Sequence, residues 1–229
     1  MRVVVLLLAA VLLAGCGSSR PVRNVQPQGF LGDYSRLTPG AEGEAALRYI
    51  NPDVNWASYR KVIVAPVTVW QSPATANIHD ADLKTAADYL YAQLRTELGK
   101  DFQLVDQPGP DTLRVEAALT GAKAANQTMV VVSSVVPIGA AVSGTYEYVT
   151  GKPTFQGEAA AEAKITDAQS GAILAEAVDQ RMGGRALNSA TTKWTDVNNI
   201  LTYWAQQLRF RLCELQERTG CMPPQTGGL

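Results

Sequence analysis

The stretch FQGEAAAEAKITDAQSGAILAEAVDQRM, Phe155 to Met182, decides the fold. From Phe155 to Ile165 the apolar residues fall at 155, 159, 161, 163 and 165, while Glu158, Glu162 and Lys164 point the other way. A two-residue period of this kind is a strand with one face buried. Asp167 to Gly171 (DAQSG) forms a hairpin loop containing Gly, and Ile173 to Met182 returns as the partner strand.

Working outward, Leu113 to Ala122 alternates in the same way, after a turn cluster at Pro108-Gly109-Pro110-Asp111. Lys61 to Trp70 (KVIVAPVTVW) is rich in β-branched residues and reads as a strand whose internal Pro66 suggests an edge position or a bulge. Phe102 to Val105 is a short strand. Two helical patterns complete the chain. Asp80 opens the first, where Leu83, Ala87, Leu90, Leu94 and Leu98 share one face and Gly99 can end the helix in the left-handed conformation. In the second, from about Thr192 to Arg218, Trp194, Val197, Leu201, Trp204, Leu208, Leu212 and Leu215 form one stripe. The expected architecture is α+β, a mainly antiparallel sheet with two long helices packed on one face.

The beginning of the chain reads separately. Arg2 supplies a positive start, Val3 to Leu13 is apolar, and Leu13-Ala14-Gly15-Cys16 closes the segment. That run is about half the ~20 residues a membrane-spanning helix needs, but it fits a secretory signal. Residues 1–15 are therefore expected to be a signal peptide. The L-A-G-C run resembles the lipobox of bacterial lipoproteins, which implies a diacylglycerol thioether and an acylated amine on Cys16. One acyl chain holds a protein only marginally, whereas two or three make attachment stable. In Gram-negative lipoproteins an Asp directly after the lipidated Cys retains the protein in the inner membrane. Here Gly17 and Ser18 follow, which favours the outer membrane, facing the periplasm. Residues 16–28, polar and with two Pro, are expected to be a flexible tether. A single domain follows over 29–219, then a tail over 220–229.

Residues 16–229 form a chain long enough for one substantial core. Apolar residues make up 46% of the sequence and charged residues 18%, ordinary values for a globular protein. A formal charge of −1 with no basic stripe argues against nucleic acid as a partner.

Several separated segments resemble a family of bacterial lipoproteins catalogued only as a domain of unknown function. The residues that carry the likeness are Gly29-Phe30-Leu31, Asp33-Tyr34-Ser35, Asn55-Trp56 with Tyr59, Lys61-Val62-Ile63-Val64, Pro66-Val67 and Val69-Trp70. Further along come Pro108-Gly109-Pro110, Leu113-Arg114-Val115, Val178-Asp179, Arg181 and Gly183-Gly184. The resemblance implies lipoprotein status and a shared fold, and supplies no catalytic residues.

Catalytic and metal chemistry find little to stand on. His79 is the single histidine, and His79-Asp80-Ala81-Asp82 reads more simply as acidic residues starting a helix than as a metal cluster. No G-x-S-x-G elbow surrounds a serine, and Ser133-Ser134 has neither acid nor base beside it. Gly151-Lys152 lacks the first glycine and the Ser/Thr of a phosphate loop, since Tyr146 and Pro153 stand there. Glu158 and Glu162 could form an acid–base pair, but on the polar side of a strand they are expected to be solvated. Trp56, Trp70, Trp194 and Trp204 read as core, with a ligand groove as the alternative. No catalytic, cofactor-binding or metal residues are assigned. Cys213 and Cys221 flank a helix end where Gly220 can reverse the chain, and export places them where disulfides persist. A bridge between them is expected, the alternative being a buried Cys213 and a loose Cys221.

The best reading from sequence is thus a non-catalytic, membrane-tethered module that binds an envelope protein or a cell-wall polymer. A periplasmic hydrolase using carboxylates and a small-ligand carrier are the alternatives. The candidate contact surface is Met129 to Val142 (MVVVSSVVPIGAAV), apolar but too short to span a bilayer. It is read either as buried strand pieces or as an exposed contact loop. An apolar cavity would favour the carrier, a polar cleft with opposed carboxylates the hydrolase.

The anchor is directly testable. In Cys16→Ser no thiol is left to receive lipid, so metabolic labelling with a fatty-acid analogue should tag the wild type and leave the variant unlabelled.

Overall fold

A computed structural model describes residues 19–71, 75, 80–124, 157–183 and 194–225. The hairpin is its centre. Strand β8 (Glu158–Asp167) pairs antiparallel on one side with β9 (Ile173–Met182) and on the other with β7 (Thr112–Lys123). At the hairpin loop, the Asp167 Oδ1 accepts the Ser170 N–H (2.7 Å), the Ser170 hydroxyl (2.8 Å) and the Gln169 N–H (3.1 Å). Its Oδ2 accepts the Tyr59 hydroxyl at 3.0 Å. Desolvation works against the carboxylate, but these donors outweigh it and hold the Asp167 carboxyl below the usual range.

The remaining strands are short. They are β1 (Arg20–Pro21), β2 (Thr38–Pro39), β3 (Leu47–Ile50), β4 (Lys61–Val64), β5 (Thr68–Val69) and β6 (Gln103–Leu104). The sheet order is β2-β3-β9-β8-β7-β4-β6, with β1 also on β9 and β5 also on β7. Helices α1 (Asp80–Leu98) and α2 (Thr195–Leu215) pack together on one face. The fold is α+β as expected, and its sheet is mixed. β4 runs parallel to both β6 and β7, and β5 parallel to β7. Parallel neighbours need a long crossover, and α1 supplies it.

Pro66 sits in the gap between β4 and β5, where three residues (65–67) stand against two of β7 (116–117), the bulge expected at this proline rather than an edge position. β4 is an interior strand between β7 and β6. The chain on either side of the gap still pairs, through Ala65 N–H to Val115 O (2.9 Å) and Trp70 N–H to Leu119 O (3.0 Å). A proline has no N–H to give, and the break removes the need for one. Gly99 ends α1 for a different reason than left-handedness. A Cβ there would lie 2.9 Å from the Arg95 carbonyl oxygen and 3.2 Å from the Leu104 Cδ1, so only glycine lets the chain turn this tightly.

The helix-side core joins Leu83, Leu90, Leu94 and Leu98 of α1 and Val197, Ile200, Leu201 and Leu212 of α2 to Val62, Val64, Leu113, Val115 and Leu119 of the sheet. Burial of each such side chain contributes roughly 1.5–3 kcal/mol. The opposite face has a smaller cluster, Val25, Ala46 and Val178, with Leu31, Tyr34, Leu37 and Leu47 packed against it.

That second cluster corrects the expected tether. From Ser19 onward the segment is laid on the sheet. Arg20 and Pro21 pair with Met182 and Arg181, the Val22 N–H donates to the Gln180 carbonyl at 2.8 Å, and Val25 is buried. The physical reason lies in β9. Its partner β3 covers only Ala175 to Val178, and the open upper edge takes the N-terminal chain as a strand. The expected tail is also partly attached. Cys213 and Cys221 are joined by a disulfide with Cα atoms 5.7 Å apart, Gly220 has φ +76°, and the Gln225 N–H reaches Gln206 Oε1 at 3.0 Å.

Beneath the C-terminal end of α2, the Asp101 carboxylate accepts Arg209 Nε at 2.6 Å and Arg218 Nη2 at 3.3 Å. Desolvation opposes its ionisation, but the two guanidinium groups win and hold the carboxyl below its ordinary value of 3.8. A carboxyl depressed in the folded state stabilises above its unfolded value and loses that contribution as pH falls through the folded one. Asp101→Asn should therefore lower the urea midpoint at pH 6, and the gap to the wild type should close as pH falls below about 3.8.

Candidate functional site

Alanine is a poor strand former, yet it recurs on the helix-facing side of the three central strands. Ala117 of β7, Ala161 and Ala163 of β8, and Ala175 and Ala177 of β9 form the floor of a cavity of about 190 Å³. Trp204, Leu208 and Leu212 of α2 form its roof, and Leu90 and Leu94 of α1 close one wall. A methyl side chain does not reach the helix layer, so the void follows from these five residues. Dry apolar cavities of ~150 Å³ are large enough to take benzene.

The mouth is polar. Asp179, Arg181, Tyr203, Glu44, Arg48 and Arg211 stand around it. Asp179 ties three elements together: its Oδ1 accepts the Ala46 N–H at 3.0 Å and its Oδ2 the Trp204 Nε1–H at 2.7 Å. Desolvation pushes the Asp179 carboxyl above its ordinary value, opposed by the Trp204 indole and the Arg181 charge. The Arg181 guanidinium lies 3.9 Å from the Tyr203 ring centroid and also holds the chain start, donating from Nε to Ser19 Oγ (3.0 Å) and from Nη2 to Ser19 O (2.8 Å). On the far side, Arg211 Nη2 (2.8 Å) and Gln207 Nε2 (2.7 Å) both donate to the Gly43 carbonyl, which straps the β2–β3 turn to α2. The Arg211 Nε is buried and has no acceptor among the described residues.

The carboxylate pair expected on the exposed side of β8 is not an exposed pair. Glu162 has no solvent exposure at all. Its Oε1 accepts the Gln28 N–H at 2.5 Å, and its Oε2 the Tyr34 hydroxyl at 2.6 Å and the Leu31 N–H at 3.2 Å. Burial, and next the Glu162 carboxylate, push the Tyr34 hydroxyl up to about 12, so it stays a donor. Glu158 stands four residues away along the strand, roughly 13 Å at ~3.3 Å per residue, beyond the spacing of a glycosidase pair. Glu162 is thus the fastening of the N-terminal segment. The solvated reading failed because alternation marks a polar face without saying what covers it.

The four tryptophans do not converge. Trp56 is in the core, Trp70 meets Phe30 edge-on at 5.5 Å and donates to the Gln28 carbonyl, and Trp194, at the residue before α2, packs against the helix-side core. Of the four, Trp204 lines the cavity. Cys16, His79, Ser133-Ser134, Gly151-Lys152 and Met129 to Val142 lie outside the described residues. Among the described residues no group of three His, Cys, Asp or Glu could hold a metal, and no helix is long and apolar enough to cross a membrane. Asp179, Arg181 and the alanine floor were not singled out as a site from sequence. The available signal was alanine, rather than Val or Ile, at five strand positions of one parity.

Removing the Glu162 acceptor leaves donors of the N-terminal segment unpaired, a cost of about 1–3 kcal/mol. Glu162→Ala should lower the melting temperature and open residues 19–37 to limited proteolysis, with the hairpin core still protected.

Comparison with known proteins then supplies kinship. The family described as "Protein of unknown function (DUF3313)" matches residues 26–208. The "Uncharacterized lipoprotein YdcL" of Escherichia coli (strain K12) is 27% identical over 186 residues, covering 79% of this chain and 81% of that protein, and its counterpart in Escherichia coli O157:H7 gives the same values. Among solved structures, the PelC dodecamer from Paraburkholderia phytofirmans matches 75% of this chain and 95% of its own at 10% identity and a TM-score of 0.38. With lipoproteins among its relatives and the family's match running through nearly the whole described domain, the chain belongs to the DUF3313 family of proteins of unknown function.

Proposed function

We propose that the protein is a non-catalytic lipoprotein of the outer membrane, facing the periplasm, whose domain binds a hydrocarbon chain in the cavity under α2. The observation that carries this reading is the alanine floor, which keeps about 190 Å³ of apolar space open between the sheet and the helices. Such a cavity favours the carrier among the three functions open from sequence. At ~30 Å³ for a water-sized group the space takes roughly six methylenes. At ~0.8 kcal/mol each they contribute about 5 kcal/mol, a Kd on the order of 0.1 mM from apolar contact alone. At the mouth Arg181, Arg211 and Arg48 stand beside Asp179 and Glu44, with Arg48 paired to Glu44 at 2.6 Å, so the apolar contact carries the affinity. The outer-membrane placement is supported by Gly17-Ser18, with no Asp after Cys16.

Binding of an envelope protein or cell-wall polymer through Met129 to Val142 is the second reading. The residues flanking that region, Ala124 and Gly157, leave the sheet beside the paired Lys123 and Glu158, at the end where the chain start also lies. That shared end supports a contact segment close to the point where the chain enters the domain.

A titration with a fluorescent medium-chain fatty acid tests the carrier reading. Residues 17–229 should bind it saturably at one site. Ala163→Leu and Ala177→Leu, which fill the floor, should abolish binding without lowering the melting temperature. Absence of saturable binding, or equal binding by the filled variants, sinks the proposal.

A further inference from the structure

Ser19 is pinned to β9 through the two Arg181 hydrogen bonds, and Arg20–Pro21 continue as a strand against Met182 and Arg181. The chain therefore enters the domain along the strand direction, at the Met182 end of the sheet. Arg20 pairs with Met182, Met182 with Glu158, and Glu158 with Lys123, so these four residues form one row across four adjacent strands. Cys16 stands three residues before Ser19, which at ~3.3–3.6 Å per residue is at most roughly 10 Å. The Asp167 to Gly171 loop lies at the opposite end of the ten-residue strands β8 and β9, roughly 33 Å away at ~3.3 Å per residue.

We infer that the Arg20–Met182–Glu158–Lys123 row is the membrane-facing end of the domain, and that the bilayer surface is its partner. Lipid on Cys16 holds this end within about three residues of the headgroups, and the strand-wise entry of the chain stands the sheet upright with its hairpin loop pointing away. A flexible tether of residues 16–28 would leave the domain free to tumble at roughly 20 Å from the surface. The fastening at Arg181, Glu162 and β1 removes that freedom. The inference rests on the lipid at Cys16 and is independent of what the cavity binds.

The test uses the lipidated full-length protein, purified from cells and reconstituted in phosphatidylethanolamine–phosphatidylglycerol vesicles that carry a lipid with a nitroxide on its headgroup. A thiol-reactive fluorophore is placed at Lys123→Cys or at Gln169→Cys, both exposed positions. Quenching at 123 should exceed that at 169 several-fold. Inserting about twelve Gly/Ser residues between Ser18 and Ser19, a coil of roughly 20 Å, should bring the two values together. Equal quenching in the native protein overturns the upright placement. A difference that survives the insertion overturns the short tether as its cause.

Discussion

A carboxylate shut away from water must be met by donors, and Glu162 is met by three that all belong to the N-terminal segment. The rest of the second layer hangs from this contact. With Gln28 and Leu31 tied to Glu162, Phe30 is brought 5.5 Å from the Trp70 ring and Lys164 5.6 Å from Phe30. Trp70 in turn donates to the Gln28 carbonyl. A few residues on, Arg36 reaches the fully buried Glu176 side chain at 3.1 Å while lying over Tyr49. Two glutamates on neighbouring strands thus fix a segment with few apolar residues of its own. Breaking such a buried contact costs more than forming it contributes, because the orphaned donors and acceptors have nowhere to go.

On the helix side the constraint is volume. Helices α1 and α2 rest on large side chains of β7, such as Leu113 and Leu119, which meet Ile200 and its neighbours in one core. In the middle, alanines meet Trp204 and Leu208, and the layers do not interdigitate. Ordinary interiors avoid this, since each lost contact forfeits dispersion energy and burial. The polar side chains that edge the space are all held in place. Asp179 is bound to Ala46 and Trp204, Arg181 to Ser19, and Arg211 to Gly43. The walls are therefore fastened to the backbone without a ligand, as a preformed site requires.

The two layers meet at Arg181. Its guanidinium stacks on Tyr203 of α2, edges the cavity and grips the first described residue of the chain. Nearby, position 183 admits only glycine: a Cβ there would fall 2.2 Å from the Asp196 Cγ, where α2 begins. Asp196 Oδ2 also accepts the Gly157 N–H at 2.9 Å, fixing the start of α2 to the start of β8. The chain start at Ser19, the cavity edge and the helix start are thereby joined at one end of the sheet.

By itself the sequence determined what depends on neighbours along the chain. The expectation of a signal peptide and lipobox comes from a linear motif, and the hairpin, β7 and both helices follow from two- and 3.6-residue periods. The closeness of Cys213 to Cys221 also follows from a local turn at Gly220. Tertiary structure decided everything that required distant segments to meet. Alternation showed that Glu162 and Ala163 face opposite ways, but not that residues 28–34 cover one face and α2 spans the other without filling it. Pairing β4 with β7 in parallel needed the crossover through α1, which no local pattern encodes. The chain from Ser19 reads as a polar linker because its composition is that of one; it is a strand because β9 had an unpaired edge at Gln180 to Met182 and the linker was the nearest chain able to satisfy it.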